Sequence, residues 1–83
     1  MQTIIVEVAV PAISKQFDFR LPATGCIGNV IDDIAYTLET TQQNIRFNKD
    51  DLILCDRDQR RVLNRWESVA GAGLRDSAQL ILL

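Results

Sequence analysis

Residues 24–41, TGCIGNVIDDIAYTLETT, predict the helix around which the rest of the chain is arranged. Their apolar side chains recur at helical spacing and form a single stripe, which consists of Ile27, Val30, Ile31, Ile34 and Leu38. Tyr36 points away from that stripe, and the Thr24 hydroxyl is placed to cap the first turn. Because Gly28 and the β-branched residues favour helix only weakly, we expect burial of the stripe to stabilise the helix.

The segments before the helix predict a β-hairpin, because apolar and polar residues alternate in both of them. Strands over residues 3–10 and 16–21 are joined by a turn over residues 11–15. The side chains predicted to face the helix are those of Ile4, Val6, Val8, Val10, Phe17, Phe19 and Leu21.

Three further strands are predicted after the helix. Residues 40–50 have no regular period, although Ile45 and Phe47 are expected to contact the edge of the core. The segments that follow are a strand over 51–56, a turn over 57–59, a short strand over 60–64, a helical turn and loop over 65–76 and a last strand over 77–83. Trp66, which lies in the loop, is expected to close one end of the core.

The first and last strands are the most apolar, as expected of a central parallel pair. If the last strand lies beside the first and parallel to it, the sheet order is 2-1-5-3-4. The sequence therefore predicts an α+β fold of the β-grasp type, in which a mixed sheet packs on one helix. The 83 residues suffice for one such domain, over residues 1–83.

Composition excludes several classes of function. The net charge of −2 argues against a nucleic-acid-binding role, and no apolar run approaches the roughly 20 residues of a membrane span. The N-terminus lacks the features of a signal peptide. We therefore expect a cytoplasmic protein that does not insert directly into a membrane.

No catalytic, cofactor or metal site is predicted. The chain has no histidine and only two cysteines, Cys26 and Cys55, which we interpret as free thiols in a reducing compartment. Adjacent Asp32 and Asp33 diverge by about 100° on a helix. The Asp50-Asp51 pair and the Asp56 and Asp58 carboxylates lack calcium-loop spacing, and we interpret them as loop surface. The prediction is a protein that is not an enzyme.

The order of elements resembles that of ubiquitin-like proteins over nearly the whole chain. Residues 29–36, NVIDDIAY, and 73–82, GLRDSAQLIL, are similar to the YukD/EsaB family of small bacterial ubiquitin-like proteins. That resemblance implies an accessory cytosolic component of a type VII (WXG/Ess-like) secretion system of Gram-positive bacteria. The implied partner is a cytosolic domain of the membrane-bound apparatus, or a second copy of the chain, since the exposed sheet edges leave a homodimer open.

Two alternatives accompany this interpretation. The first is a generic β-grasp adaptor or regulatory subunit of an unrelated soluble complex. The second is a covalent modifier or sulfur carrier, which needs a flexible Gly-Gly tail. Because the sequence ends at Leu82-Leu83, we expect a non-conjugated protein.

A partner-binding surface is predicted on the sheet face that points away from the helix. Ile5, Ile53 and Ile81 all fall on that face, on neighbouring strands of the predicted order, and a contiguous apolar stripe is typical of a binding site. A cluster of arginines is expected to form its charged rim, the alternative being a solvated turn with local ion pairs. This cluster consists of Arg57, Arg60, Arg61 and Arg65.

Overall fold

The computed structural model of the chain describes residues 2–42 and 45–83. Within these residues the chain forms five β-strands and one α-helix, in the order β1 (Thr3–Val10), β2 (Lys15–Pro22), α1 (Ile27–Thr41), β3 (Leu54–Asp56), β4 (Arg61–Val62) and β5 (Gln79–Leu82). Single 3₁₀ turns cover Pro11–Ile13 and Lys49–Asp51. None of the helices in this described part is long and apolar enough to cross a membrane.

The strands form one sheet in the order β2-β1-β5-β3-β4, which confirms the predicted order. β1 and β5 are parallel, with Val8 opposite Leu80, and the other neighbouring pairs are antiparallel. The chain therefore has the predicted α+β architecture, with a mixed sheet on one helix. The central strands bury Val6 and Val8 from β1 and Leu80 and Leu82 from β5 on the helix side.

The helix buries the predicted stripe, whose members are each at most 3% exposed, namely Ile27, Val30, Ile31, Ile34 and Leu38. Tyr36 lies on the opposite side and is 63% exposed, as predicted. The predicted alternation of inward and outward side chains in the hairpin is also confirmed. Leu21 is buried, while Phe17 and Phe19 are half-buried at the edge of the core.

The predicted N-cap is wrong. The helix begins at Ile27 rather than near Thr24, and Cys26 occupies the N-cap position without a side-chain capping bond. Instead, the N–H groups of Ile27 and Gly28 each donate to a main-chain oxygen of the 64–69 segment, Glu67 O and Arg65 O, both at 2.8 Å. Tertiary contacts thus satisfy the free donors that a capping side chain would otherwise bind.

The third and fourth strands are shorter than predicted. Residues 49–51 form a 3₁₀ turn in which the Asn48 side chain accepts from the N–H of Asp50, so regular pairing starts later. Ile53 still exchanges two hydrogen bonds with Leu83, of 3.0 and 2.8 Å. Between the helix and this turn, Phe47 packs against the core as predicted, whereas Ile45 is not among the residues packed on it. Residues 43 and 44 lie outside the described residues.

Trp66 is 80% exposed, so the prediction that it closes the core is wrong. The carbonyl oxygens of its neighbours Arg65 and Glu67 both bind the start of the helix, and the indole between them projects into solvent. Val69 and Leu74 of the same segment are buried.

Candidate functional site

The sheet face opposite the helix carries a row of apolar side chains. The strand register aligns Ala9 of β1, Ile81 of β5, Cys55 of β3 and Val62 of β4 across four neighbouring strands. Their side chains point away from the helix, because residues on either side of them in the chain, such as Leu80 and Leu82, are buried beneath it.

A second, shorter apolar row lies next to the first. Ile53 and Leu83 face each other through their reciprocal main-chain hydrogen bonds, and each lies two residues from a member of the first row. Ile53 is 44% exposed, Val62 55% and Leu83 60%. Apart from Ala9, the residues of the two rows form what we call the apolar patch, which consists of Ile53, Cys55, Val62, Ile81 and Leu83.

The structure brings Ile53 and Ile81 together, as predicted, but not Ile5. Ile81 lies opposite Ala9, and Ile5 is about 13 Å further along β1 at the usual strand rise. The polar pair Glu7 and Gln79 lies between them. The predicted line of three isoleucines is therefore not formed, since the β1–β5 register places Ile5 beside Ser77 instead.

Two of the four predicted arginines keep an unpaired charge at the edge of the apolar patch. Arg57 and Arg60 are exposed in the turn 57–60. Together with Cys55, Val62 and Ile81 they line a shallow depression of about 360 Å³. Neither arginine forms an ion pair with any residue that the structure describes, so their charges face solvent.

The other two arginines are engaged elsewhere. Arg61 also borders the depression, but its guanidinium binds the Glu67 carboxylate at 3.1 Å and the carbonyl oxygen of Ala72 at 3.0 Å. Arg65 binds Asp32 of the helix at 3.0 Å. The rim that sequence reasoning assigned to four arginines therefore consists of two, and the remaining two fasten the 64–73 segment to the body of the fold.

A buried carboxylate fixes the turn that carries Arg57 and Arg60. Asp56 is only 2% exposed, which corrects its interpretation as loop surface. Its Oδ1 accepts from the N–H groups of Asp58 and Gln59, at 2.9 and 3.2 Å, and its Oδ2 accepts from the Gln59 side-chain amide. An Asp before a turn is a known signal for such a bond, but its burial depends on tertiary packing.

The pKa of the Glu67 carboxylate is lowered by its hydrogen-bond partners. The hydrogen bond from Arg61 lowers the pKa of Glu67, and the bond from the main-chain N–H of Asn64 at 2.8 Å lowers it further. Both interactions favour the charged form. They hold the segment that contacts the helix start, and they do not belong to the apolar patch.

Where the structure describes them, the cysteines and carboxylates form no constellation typical of a metal site. Both thiols are free and half-buried, and the Cys26 thiol donates to the carbonyl oxygen of Arg65 at 2.9 Å. Within residues 2–42 and 45–83 no group of three or more potential ligands is close enough to hold a metal ion.

Comparison with solved structures identifies the fold. Over its whole length the chain superposes on the ubiquitin-like domain of an Arabidopsis thaliana protein, with a TM-score of 0.75, 18% identity and 78% of that chain covered. It also matches ubiquitin of Caldiarchaeum subterraneum, with a TM-score of 0.76, 13% identity, and 98% and 91% of the two chains covered. The chain thus has the ubiquitin-like β-grasp fold.

The same fold occurs in a different molecular setting. A chain of the toluene 4-monooxygenase HD complex superposes with a TM-score of 0.78 at 12% identity, with 98% of this chain and 96% of that one covered. No family model matches the sequence, and no curated protein matches it. At these identities the likeness establishes the fold alone.

Proposed function

We propose that this protein is a ubiquitin-like protein-interaction module that binds a protein partner through its apolar patch. The observation that carries the proposal is a contiguous exposed apolar surface, with Ile53, Val62 and Leu83 each 44–60% exposed. Apolar side chains clustered at the centre of a face, with arginine at the edge, are typical of protein-binding sites.

The partner surface that fits this site is apolar at its centre and acidic on one side. Arg57 and Arg60 flank the depression formed by Cys55, Val62 and Ile81. They carry positive charge on a chain whose net charge is −2. Carboxylates on the partner would pair with these guanidinium groups, which favours the correct orientation more than it adds affinity.

For the biological setting, we propose an accessory cytosolic component of a bacterial type VII secretion system. The similarity of residues 29–36 and 73–82 to the YukD/EsaB family supports this assignment, and the ubiquitin-like fold agrees with it. The partner would be a cytosolic domain of the secretion apparatus.

The second candidate is a non-catalytic subunit of an unrelated soluble complex. The match to a chain of the toluene 4-monooxygenase HD complex favours it, because that chain is spanned almost completely. Genes for an FtsK/SpoIIIE-type ATPase and small WXG proteins beside this gene would favour the secretion role. Genes for the subunits of a soluble enzyme would favour the alternative.

The experiment compares two isoleucines in the bacterium of origin. Ile5 and Ile53 are 45% and 44% exposed on the same sheet face, but only Ile53 belongs to the apolar patch. We expect gene deletion and Ile53→Lys to reduce secretion of WXG substrates, whereas Ile5→Lys does not, at equal amounts of protein. Unchanged secretion after deletion would refute the secretion role. If the deletion strain were defective in secretion but the Ile53→Lys strain secreted normally, the proposed binding site would be refuted.

A further inference from the structure

The outer edge of β2 is the longest free strand edge of the sheet. β2 runs from Lys15 to Pro22 and stands first in the strand order. Among the residues that the structure describes, no strand pairs with that outer edge. Free strand edges present unpaired main-chain donors and acceptors, to which the strand of another chain can pair.

The hydrogen-bond pattern shows which residues offer these groups. Ala23 donates to Gln2 across the hairpin, at 3.0 Å, and Ser77 donates to Ile5 on the other side of β1, at 2.7 Å. Along an antiparallel strand pair, residue pairs that exchange main-chain hydrogen bonds alternate with pairs that do not. The residues of β2 aligned with Ile5 and Glu7 belong to the second kind, so their main-chain groups point outward, away from β1. These residues are Arg20 and Asp18, and Gln16 follows in the same phase.

The outward positions carry opposite charges. Asp18 and Arg20 are exposed, and neither forms an ion pair with any described residue. On the other face of the strand, Phe17 and Phe19 form a tilted aromatic pair with ring centroids 6.2 Å apart, and both remain half-exposed. The edge of β2 therefore carries unpaired opposite charges on one face of the strand and an apolar strip on the other.

We propose that a second copy of this chain pairs with this edge, β2 against β2, in an antiparallel two-fold arrangement centred on Phe19. In that register Asp18 of each copy lies opposite Arg20 of the other. Each such pair exchanges both of its main-chain hydrogen bonds, because these residues direct their groups outward. Opposite charges directly across a strand pair are stabilising.

Neighbouring registers are unfavourable for the same reason. A centre at Asp18 places the two Asp18 side chains opposite each other, and a centre at Arg20 does the same with the two arginines. Like charges directly opposite destabilise a strand pair. The alternation of charge along β2 thus favours the register centred on Phe19 over these two neighbours.

The apolar side of β2 is complementary in this register. Phe19 faces Phe19 of the second copy, and Phe17 faces Leu21. Beside this strip runs a groove of about 330 Å³ between β2 and α1, lined by Phe19, Leu21, Val30 and Ile34 among others. Aromatic side chains at the seam have room to pack there, and the contact is isologous, as in most homodimers.

The proposed dimer is independent of the proposed function. Its seam lies along β2, whereas the apolar patch lies on β3, β4 and β5 at the other end of the strand order. The two-fold axis is perpendicular to the sheet, so both copies present their patches on the same side. A dimer would therefore offer two docking surfaces to one partner assembly.

Charge reversal tests the register by analytical ultracentrifugation of the purified chain. Unaltered protein is expected to form dimers in a concentration-dependent manner. Asp18→Arg alone, and Arg20→Asp alone, place like charges opposite each other and should each weaken self-association by roughly tenfold or more. The double variant restores both pairs, and an equimolar mixture of the two single variants forms a heterodimer.

Circular dichroism is used to check that each variant is folded, and Ile53→Lys serves as the control that should leave dimerisation unchanged. A chain that remains monomeric up to millimolar concentration would overturn the proposal. So would a dimer whose affinity is the same in all the charge variants, or one that Ile53→Lys alone disrupts. A chain that stays monomeric while its β2 edge binds a strand of a different protein would overturn it as well.

Discussion

The main-chain N–H of Gly28 donates a hydrogen bond of 2.8 Å to the carbonyl oxygen of Arg65, which holds the start of the helix against the 64–69 segment. A Cβ atom at position 28 would lie 3.1 Å from that oxygen. The Cys26 thiol also donates to it, so the carbonyl has little freedom to move away. This close approach explains a glycine inside a helix.

Gly28→Ala should therefore destabilise the protein, by about 1 kcal/mol, although alanine favours helix by a similar amount. The gain in propensity is outweighed because the contact would lengthen or break a hydrogen bond that satisfies the helix start. Urea unfolding measures the effect. Thr37→Ala, at an exposed position of the same helix, is the matched control and should be neutral or slightly stabilising. A more stable Gly28→Ala variant would contradict the explanation.

Asp56→Ala should lower the free energy of unfolding by about 2 kcal/mol. The carboxylate accepts hydrogen bonds from Asp58 and Gln59, and removing it leaves donors of the turn unsatisfied next to the core. Asp33→Ala, at an exposed helix position, should change stability by no more than about 0.5 kcal/mol. Denaturant midpoints of the two variants provide the comparison, and equal midpoints would show that the turn does not depend on Asp56.

Protonation of Glu67 should contribute to acid destabilisation. Its pKa is lowered in the folded protein from the ordinary value of 4.5, chiefly by the bond from Arg61. The folded state thus binds this proton less readily than the unfolded state. The stabilising contribution is complete above the unfolded pKa and is lost as the pH falls through the folded pKa.

Glu67→Gln removes this titration. The stability difference between the parent and Glu67→Gln should be largest near neutral pH and should shrink as the pH falls below about 4.5, the ordinary value. Unfolding free energies measured by urea titration over a series of pH values give the difference. A difference that stays constant throughout would argue against a role for this carboxylate.

Trp66→Ala should change the free energy of unfolding by less than about 0.5 kcal/mol, because the side chain is 80% exposed. Native tryptophan fluorescence should resemble that of the unfolded chain and be quenched readily by iodide. Leu63→Ala, nearby in the chain but only 3% exposed, should cost about 2–5 kcal/mol. A blue-shifted emission that resists quenching would place the indole in an apolar contact.

Local periodicity carried most of the fold prediction. The apolar stripe of α1 and the alternation of side chains in β1 and β5 indicate which side of each element is buried, because side-chain direction repeats every 3.6 residues in a helix and every 2 in a strand. With those faces assigned, parallel pairing of the two most apolar strands leads to the observed order. The helix start was not predictable in this way, since the groups that cap it belong to Arg65 and Glu67, far along the chain.

The candidate site was only partly predictable for a related reason. The sequence places Ile5, Ile53 and Ile81 on one face, but it contains no turn that sets the register between β1 and β5. In the register that the structure shows, Ala9 rather than Ile5 lies opposite Ile81, so Ile5 is distant from the other two isoleucines. It also adds Val62 to the patch, which period-two alternation in the short strand β4 would have indicated.

By itself, then, the sequence determined the faces of the helix and strands and the outward direction of the isoleucines, which depend on residues close together in the chain. It also indicated the order of the strands, because the first and last strands are the most apolar and therefore suit the central positions. Only the tertiary structure decided which exposed apolar residues are neighbours, which arginines keep a free charge and which acidic side chain is buried. Those outcomes depend on contacts between distant segments, such as Arg65 with Asp32 and Ala9 with Ile81, whose geometry no local pattern encodes.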